Sequence, residues 1–301
     1  MNKIPVGDTI SRSYGFTFSN ILSIFGIAWL PHVILVGIAV GLVFLLAPDL
    51  PRMLMQGQLD PIVFLHVSHI FGLLGLLSFI VACMVTVGIQ RKALGRHPGP
   101  VFVYFSLGAP VWRMAGSWFL AGLVIFFVVL LCAAVAGTIW WAAETFLPKF
   151  DILIGTLAIV AAVLWLIYMS IRLTFFLPAV VVAEERIALG RAWELAEGNF
   201  WRIFITFIAV FLPAAIGFSI VSSALFGPFF DMPHFHEGMD FREIMHAVFQ
   251  QMRVVGPLMI LYQIIERIVF LGLGNGMVAN AYLAVTGSSA AAARPAAHQP
   301  A

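Results

Sequence analysis

Six stretches of the chain stay apolar for long enough to cross a bilayer, and the polar residues gather in the gaps between them. The stretches run from Phe18 to Ala47, Ile62 to Ile89, Ala115 to Ala143, Ile152 to Phe176, Trp201 to Gly227 and Val255 to Thr286. A hydrocarbon core about 30 Å thick takes about 20 residues of helix to cross. Backbone groups in lipid find no water, so each run must satisfy its own hydrogen bonds, which a helix does. The runs lack the alternating polarity of a membrane β-barrel strand. The pattern therefore predicts an all-α polytopic membrane protein with six transmembrane helices. One membrane domain covers residues 1–287, and 288–301, rich in Ala and Pro, read as a disordered cytoplasmic tail.

Composition agrees with this and removes several function classes. Of the 301 residues, 62% are hydrophobic and only 10% charged, and the mean hydropathy is +1.03. Soluble domains carry about 25% charge. A water-soluble enzyme of this length would lack polar side chains to cover its surface. A net charge of +2 with no long basic cluster excludes a nucleic-acid partner. Cys83 and Cys132 both lie in apolar runs and read as small hydrophobes.

Charge does set an orientation. Of the sixteen Lys and Arg residues, eleven flank one side of the six runs (Lys3, Arg12, Arg91, Lys92, Arg96, Arg113, Arg172, Arg186, Arg191, Arg202 and Arg294). Four flank the other (Arg52, Lys149, Arg242 and Arg253), and Arg267 lies inside the last run. The positive-inside rule then puts both termini in the cytoplasm of a cell whose inner membrane holds the protein. The first run is too long for a signal-peptide core and is expected to remain as a signal anchor.

Three short segments look alike. Tyr14 precedes Asn20-Ile21-Leu22, Tyr104 precedes Pro110-Val111-Trp112, and Trp193 precedes Asn199-Phe200-Trp201. In each, an aromatic stands six residues before the anchor position, and the anchors are ninety and eighty-nine residues apart. This suggests an internal repeat with units of about 1–90, 91–180 and 181–287, each an interfacial helix followed by a hairpin of two spans. Leu189, Ala192, Trp193, Ala196 and Phe200 fall on one helical face, with Arg191, Glu194 and Glu197 opposite. Such a helix is expected to lie in the membrane plane. Trp112, Arg113, Arg172, Arg191, Trp193, Trp201 and Arg202 are then candidates for contact with lipid headgroups, or simply frame the bundle.

The stretch IRLTFFLPAVVVAEERIALGRAWELAEGNFWRIF, residues 171–204, carries a further signal in Arg172, Pro178-Ala179, Glu184-Glu185, Ala192-Trp193-Glu194-Leu195 and Asn199-Phe200-Trp201-Arg202. This pattern resembles the glycerophosphoryl-diester-phosphodiesterase membrane-domain-like proteins and their six-helix bacterial relatives. In the fused members a separate soluble domain carries the phosphodiesterase, and the six runs leave no stretch of residues 1–301 expected to form one. The resemblance implies a fold and a membrane location, and no catalytic activity or cofactor.

Inside the last run stand Glu266 and Arg267, with Gln263 one turn away. A charge at that depth costs about 2.5–3.5 kcal/mol unless it is paired or faces a wet cavity. Neighbouring residues on a helix point about 100° apart and pair poorly with each other. Each is therefore expected to find a partner on another helix, and His32, beside Pro31 in the first run, is a candidate for Glu266. The group is either an interhelical clamp or a ligand site. Pro31 and Pro213 sit at similar depths in the first and fifth runs and predict kinks. Gly272, Gly274 and Gly276 permit close contact with a neighbouring helix.

Histidines mark the opposite face. His66 and His69 lie one turn apart, and His234, His236, Glu237, Asp240 and His246 follow in the last outer loop. Only the His-x-His pair has a metal-ligand spacing, so no metal is expected. Asp240 and Glu243 read instead as the cap of an amphipathic helix on the outer leaflet, with Phe241, Ile244, Met245, Val248 and Met252 as its apolar face. No His-Glu-x-x-His, P-loop or nucleophile elbow occurs. The expectation is a non-catalytic inner-membrane protein in lipid or envelope homeostasis, or a scaffold of a membrane complex, whose partners are membrane lipids and other membrane proteins. The alternative is a small-solute transporter or channel using the Glu266/Arg267 site.

Overall fold

The structure is a computed structural model that describes residues 2–46, 61–97, 99–230 and 241–287. These residues form nine helices and no strand. They are α1 (Val6–Ser19), α2 (Ile21–Leu46), α3 (Pro61–Ala93), α4 (Ala109–Phe146), α5 (Asp151–Thr174), α6 (Leu177–Glu184), α7 (Leu189–Ala196), α8 (Phe200–Phe230) and α9 (Phe241–Thr286). Six of them, α2, α3, α4, α5, α8 and α9, are long and apolar enough to cross a membrane. Each covers most or all of one of the six apolar runs, so the protein is a multi-pass all-α membrane protein.

Consecutive spans pack on each other as α2 with α3, α4 with α5, and α8 with α9. The last helix holds the bundle together, since α9 touches α1, α2, α3, α6 and α8. Two-thirds of its most apolar window is buried, against 6% for those of α4 and α5. Those two instead present Phe126, Phe127, Leu131, Leu153 and Leu164 outward, as helices bathed in acyl chains should.

The core is concentrated at the basic end, where α3 and α5 finish and α4 and α8 begin. Its centre is the two-turn helix α6, whose residues Leu177–Val182 are all buried. It packs between α3, α4, α5, α7 and α9. Pro178 in its first turn suits a helix start, where its missing N–H is not needed. The turn after it puts Glu185 at φ 54°, a left-handed conformation that ends the helix.

The segments that precede the spans differ from one another. Helix α1 does not lie across the membrane plane. A Cβ on Gly272 would meet Thr17, one on Gly276 would meet Phe16 and the Ser13 backbone, and the Tyr14 hydroxyl reaches the Val210 carbonyl at 2.8 Å. That register runs α1 lengthwise between α8 and α9, antiparallel to α9. Its buried face is Thr9, Ser13 and Thr17. Each hydroxyl donates to the carbonyl four residues back, at 2.9, 2.6 and 2.7 Å, so a polar stripe is buried without an unmet donor. Small side chains opposite glycine allow the approach that larger ones would forbid.

The helix expected before the third span is absent. The described residues from Gly95 to Gly108 are irregular, because Gly95 and Gly99 take positive φ (71° and 90°) and Pro100 follows. The segment is laid against α2 and α3. Trp29 donates to the Phe102 carbonyl at 2.8 Å, the Val101 N–H donates to the Ser23 hydroxyl at 3.4 Å, and Gly26 leaves the room that the Val101 carbonyl occupies.

The amphipathic helix expected on the outer leaflet is also not a separate element. Its backbone continues into the sixth span as one 46-residue helix with Pro257 inside it. At about 1.5 Å per residue α9 is about 69 Å long, much more than a bilayer needs.

Candidate functional site

Two groups of polar side chains stand out, one at the basic end and one inside the bundle. At the basic end, α5 carries Tyr168 and Arg172 one turn apart, and α7 packs on α5. This brings the Trp193 ring over the Arg172 guanidinium, 4.0 Å from carbon to ring centroid. Arg172 donates to the Tyr168 hydroxyl at 2.8 Å and to the Trp193 carbonyl at 3.4 Å. Its Nε is buried with no partner among the described residues. Phe200 closes the wall 4.9 Å from Tyr168. A guanidinium stacked on indole gains about 0.5–2 kcal/mol.

Glu184, at the end of α6, is the hub beside it. Arg186 donates two hydrogen bonds to its carboxylate, at 2.6 and 3.1 Å, and Arg191 a third at 3.3 Å. The Tyr282 hydroxyl of α9 adds one more at 3.3 Å. Arg191 also reaches Glu194. Partial burial alone would weaken the Arg191 charge, but hydrogen bonds and charges from Glu184 and Glu194 outweigh it and hold its proton more tightly than usual. Arg96 donates to the Val182 and Ala183 carbonyls at 2.8 and 2.5 Å, satisfying the exposed end of α6.

The chain start is held by the same region. Asn199 Oδ1 accepts from the Ile4 N–H at 3.1 Å, and Arg202 donates to the Ile4 carbonyl at 2.8 Å. Ile4 is fully buried between them.

Of the headgroup-contact candidates, the fold therefore gathers Arg172, Arg191 and Trp193 around α7, and places Arg202 on the Ile4 backbone. Trp112 and Trp201 stay exposed and Arg113 is half-buried. The sequence pattern contained Glu184 and Asn199 but gave no sign of these roles, nor of the buried amide pair Gln90–Asn275 joining α3 to α9 at 3.1 Å.

The intramembrane group differs from expectation. Arg267 and Gln263 are exposed, while Glu266 and His32 are half-buried. Among the described residues neither Glu266 nor Arg267 forms an ion pair. His32 is not the partner of Glu266. Its Nδ1 lies 2.6 Å from the Ala28 carbonyl, and the charge that acts on its ring is Arg267. The reason lies in the packing of α2 on α9, which sets His32 against the Arg267 side of the helix. Glu266, a third of a turn round, shares a face with Tyr262, whose hydroxyl donates to the Phe218 carbonyl of α8 at 2.6 Å.

Pro31 is buried within α2. Pro213, with Tyr14, Phe18, Gly217, Phe218 and Val269, lines an apolar groove of about 400 Å³ between α1, α8 and α9. Among the described residues no three His, Cys, Asp or Glu side chains come together as metal ligands. His234, His236, Glu237 and Asp240 lie outside the described residues, as do the side chains of His66, Glu243 and His246.

No family model matches the chain, and neither a curated protein nor a solved structure matches it.

Proposed function

We propose that the protein is a non-catalytic component of the inner membrane that binds lipid headgroups at its basic end and serves lipid or envelope homeostasis. Both termini would then lie in the cytoplasm, with the eleven flanking cations on that side. The observation that carries this reading is the Arg172 guanidinium held between Tyr168 and Trp193, with Trp112 and Trp201 exposed at the same end. Aromatic rings beside arginines are the side chains that anchor a protein at the headgroup level. The resemblance of residues 171–204 to membrane domains of phosphodiesterase-type proteins supports the same location.

The test is native mass spectrometry of the purified protein extracted in mild detergent, with Arg172→Ala and Trp193→Ala beside it. The reading expects copurifying anionic phospholipid that both variants lose. Equal lipid retention in all three proteins would refute it.

A further inference from the structure

The packing of α2 on α9 ends where the chemistry changes. Ile24, Ile27 and Ala28 of α2 pack with Ile268 of α9, and Leu271 lies against them. The helices run in opposite directions, so one turn beyond Ala28 on α2 and one turn beyond Leu271 on α9 bring His32 and Arg267 to the same level. Gln263 follows one further turn along the Arg267 face. Arg267 and Gln263 are exposed there, and Arg267 acts electrostatically on the His32 ring. The Nδ1 contact with the Ala28 carbonyl requires the proton on that nitrogen. It fixes the ring and leaves Nε2 as its open edge. Neither Arg267 nor Gln263 has a hydrogen bond or ion pair among the described residues. Glu266, the nearest carboxylate in sequence, points about 100° away.

We infer that His32, Gln263 and Arg267 form an anion-binding site within the membrane, taking a carboxylate or a phosphate. A guanidinium presents a planar fork that matches two oxygens of such a group, and the Gln263 amide adds a donor beside it; the His32 Nε2, an acceptor in the neutral ring, donates once the bound anion has drawn a second proton onto the imidazole. In an acyl layer the anion is carried either by an amphiphile with an apolar tail or by a small ion entering from water. The site stands apart from Arg172 and Trp193 at the basic end, so its failure would leave the headgroup reading intact.

The experiment uses the full chain in nanodiscs of zwitterionic phosphatidylcholine. The probes are a dansyl-labelled undecanoate, the matching dansyl-labelled alcohol, and inorganic phosphate as competitor. The carboxylate is expected to bind at least tenfold more tightly than the alcohol. Arg267→Gln should weaken it at least tenfold, and His32→Ala and Gln263→Leu severalfold each, with Arg267→Lys in between. Competition by phosphate identifies a small ion as the source, and lack of competition identifies the amphiphile; both support the site. Equal binding of carboxylate and alcohol, or no binding of carboxylate and phosphate, overturns it. So does full binding by a folded Arg267→Gln variant. If that variant does not fold, unchanged binding in both His32→Ala and Gln263→Leu overturns it instead.

Discussion

Gly272→Ala tests the packing of α1 against α9 most sharply. A Cβ at position 272 would lie 2.6 Å from Thr17 Cγ2, 2.9 Å from Ile24 Cδ1 and 3.0 Å from Thr17 Oγ1. Ile24 Cδ1 is the end of a flexible side chain and can move. Thr17 cannot easily, because it is branched at Cβ and its hydroxyl is bound to the Ser13 carbonyl at 2.7 Å. Forcing a methyl into such a contact costs about 1–3 kcal/mol. Replacing glycine by alanine within a helix returns about 0.8–1 kcal/mol. The net expectation is a loss of up to about 2 kcal/mol. Adding Thr17→Ser removes the methyl nearest the clash and should restore most of it. Gly37→Ala in α2, where a Cβ would meet nothing within 4 Å, is the control and should lose nothing. The assay is thermal unfolding of wild type, Gly272→Ala, Thr17→Ser, the double variant and Gly37→Ala, five proteins in the same detergent. A double-mutant cycle across positions 17 and 272 should give a coupling of about 0.5–3 kcal/mol. If Gly272→Ala is as stable as Gly37→Ala, or Thr17→Ser gives no rescue, α1 does not pack where the structure puts it.

Gly26→Ala should be more damaging, near the upper end of about 1–3 kcal/mol, since its Cβ would lie 2.0 Å from the Val101 carbonyl and backbone must yield. Its melting temperature should fall, and a cysteine placed at Phe102 should label faster. Asn199→Ala leaves the buried Ile4 N–H unpaired, a loss of about 1–3 kcal/mol, and hydrogen exchange at Ile4 should speed up. Gln90→Leu removes the donor to Asn275, leaving a buried acceptor unmet at a similar cost in thermal unfolding, while the double change Gln90→Leu with Asn275→Leu should be milder than the single one. Arg172→Lys should lose about 0.5–2 kcal/mol of stacking on Trp193, seen as a change in tryptophan fluorescence and a lower melting temperature.

The six spans were readable because each is a continuous apolar run, and length alone separates a spanning helix from a buried one. What each span touches was not, because a helix in lipid is apolar on every face. The Gly272–Gly276 stripe signalled a close neighbour, but nothing in it pointed to α1. Thr9, Ser13 and Thr17 look like the polar side of a surface helix, and become a buried face only because each hydroxyl bonds its own backbone. The same ambiguity hid the loss of the second short helix, where Tyr104 matched the repeat while Gly95 and Gly99 set a different backbone. At the basic end the sequence marked Arg172 and Trp193. Their contact comes from α7 packing on α5, across a turn at Glu185 whose left-handed φ no pattern of apolar residues predicts. Glu266 and Arg267 were legible as costly charges, but the outward placement of Arg267 beside a half-buried Glu266 depends on where α2 and α9 part.

The most direct test of the account is cysteine-accessibility mapping in intact cells and in inverted membrane vesicles. It uses single cysteines at Asn2, Ser106, Ile187 and Gly287 on the basic side and at Lys149 on the other, in a chain with Cys83 and Cys132 replaced. Six crossings with cytoplasmic termini predict that the impermeant reagent labels Lys149 in cells, and that the other four positions label only in inverted vesicles. Labelling of Asn2 from outside, or of Ser106 and Lys149 from the same side, would contradict it.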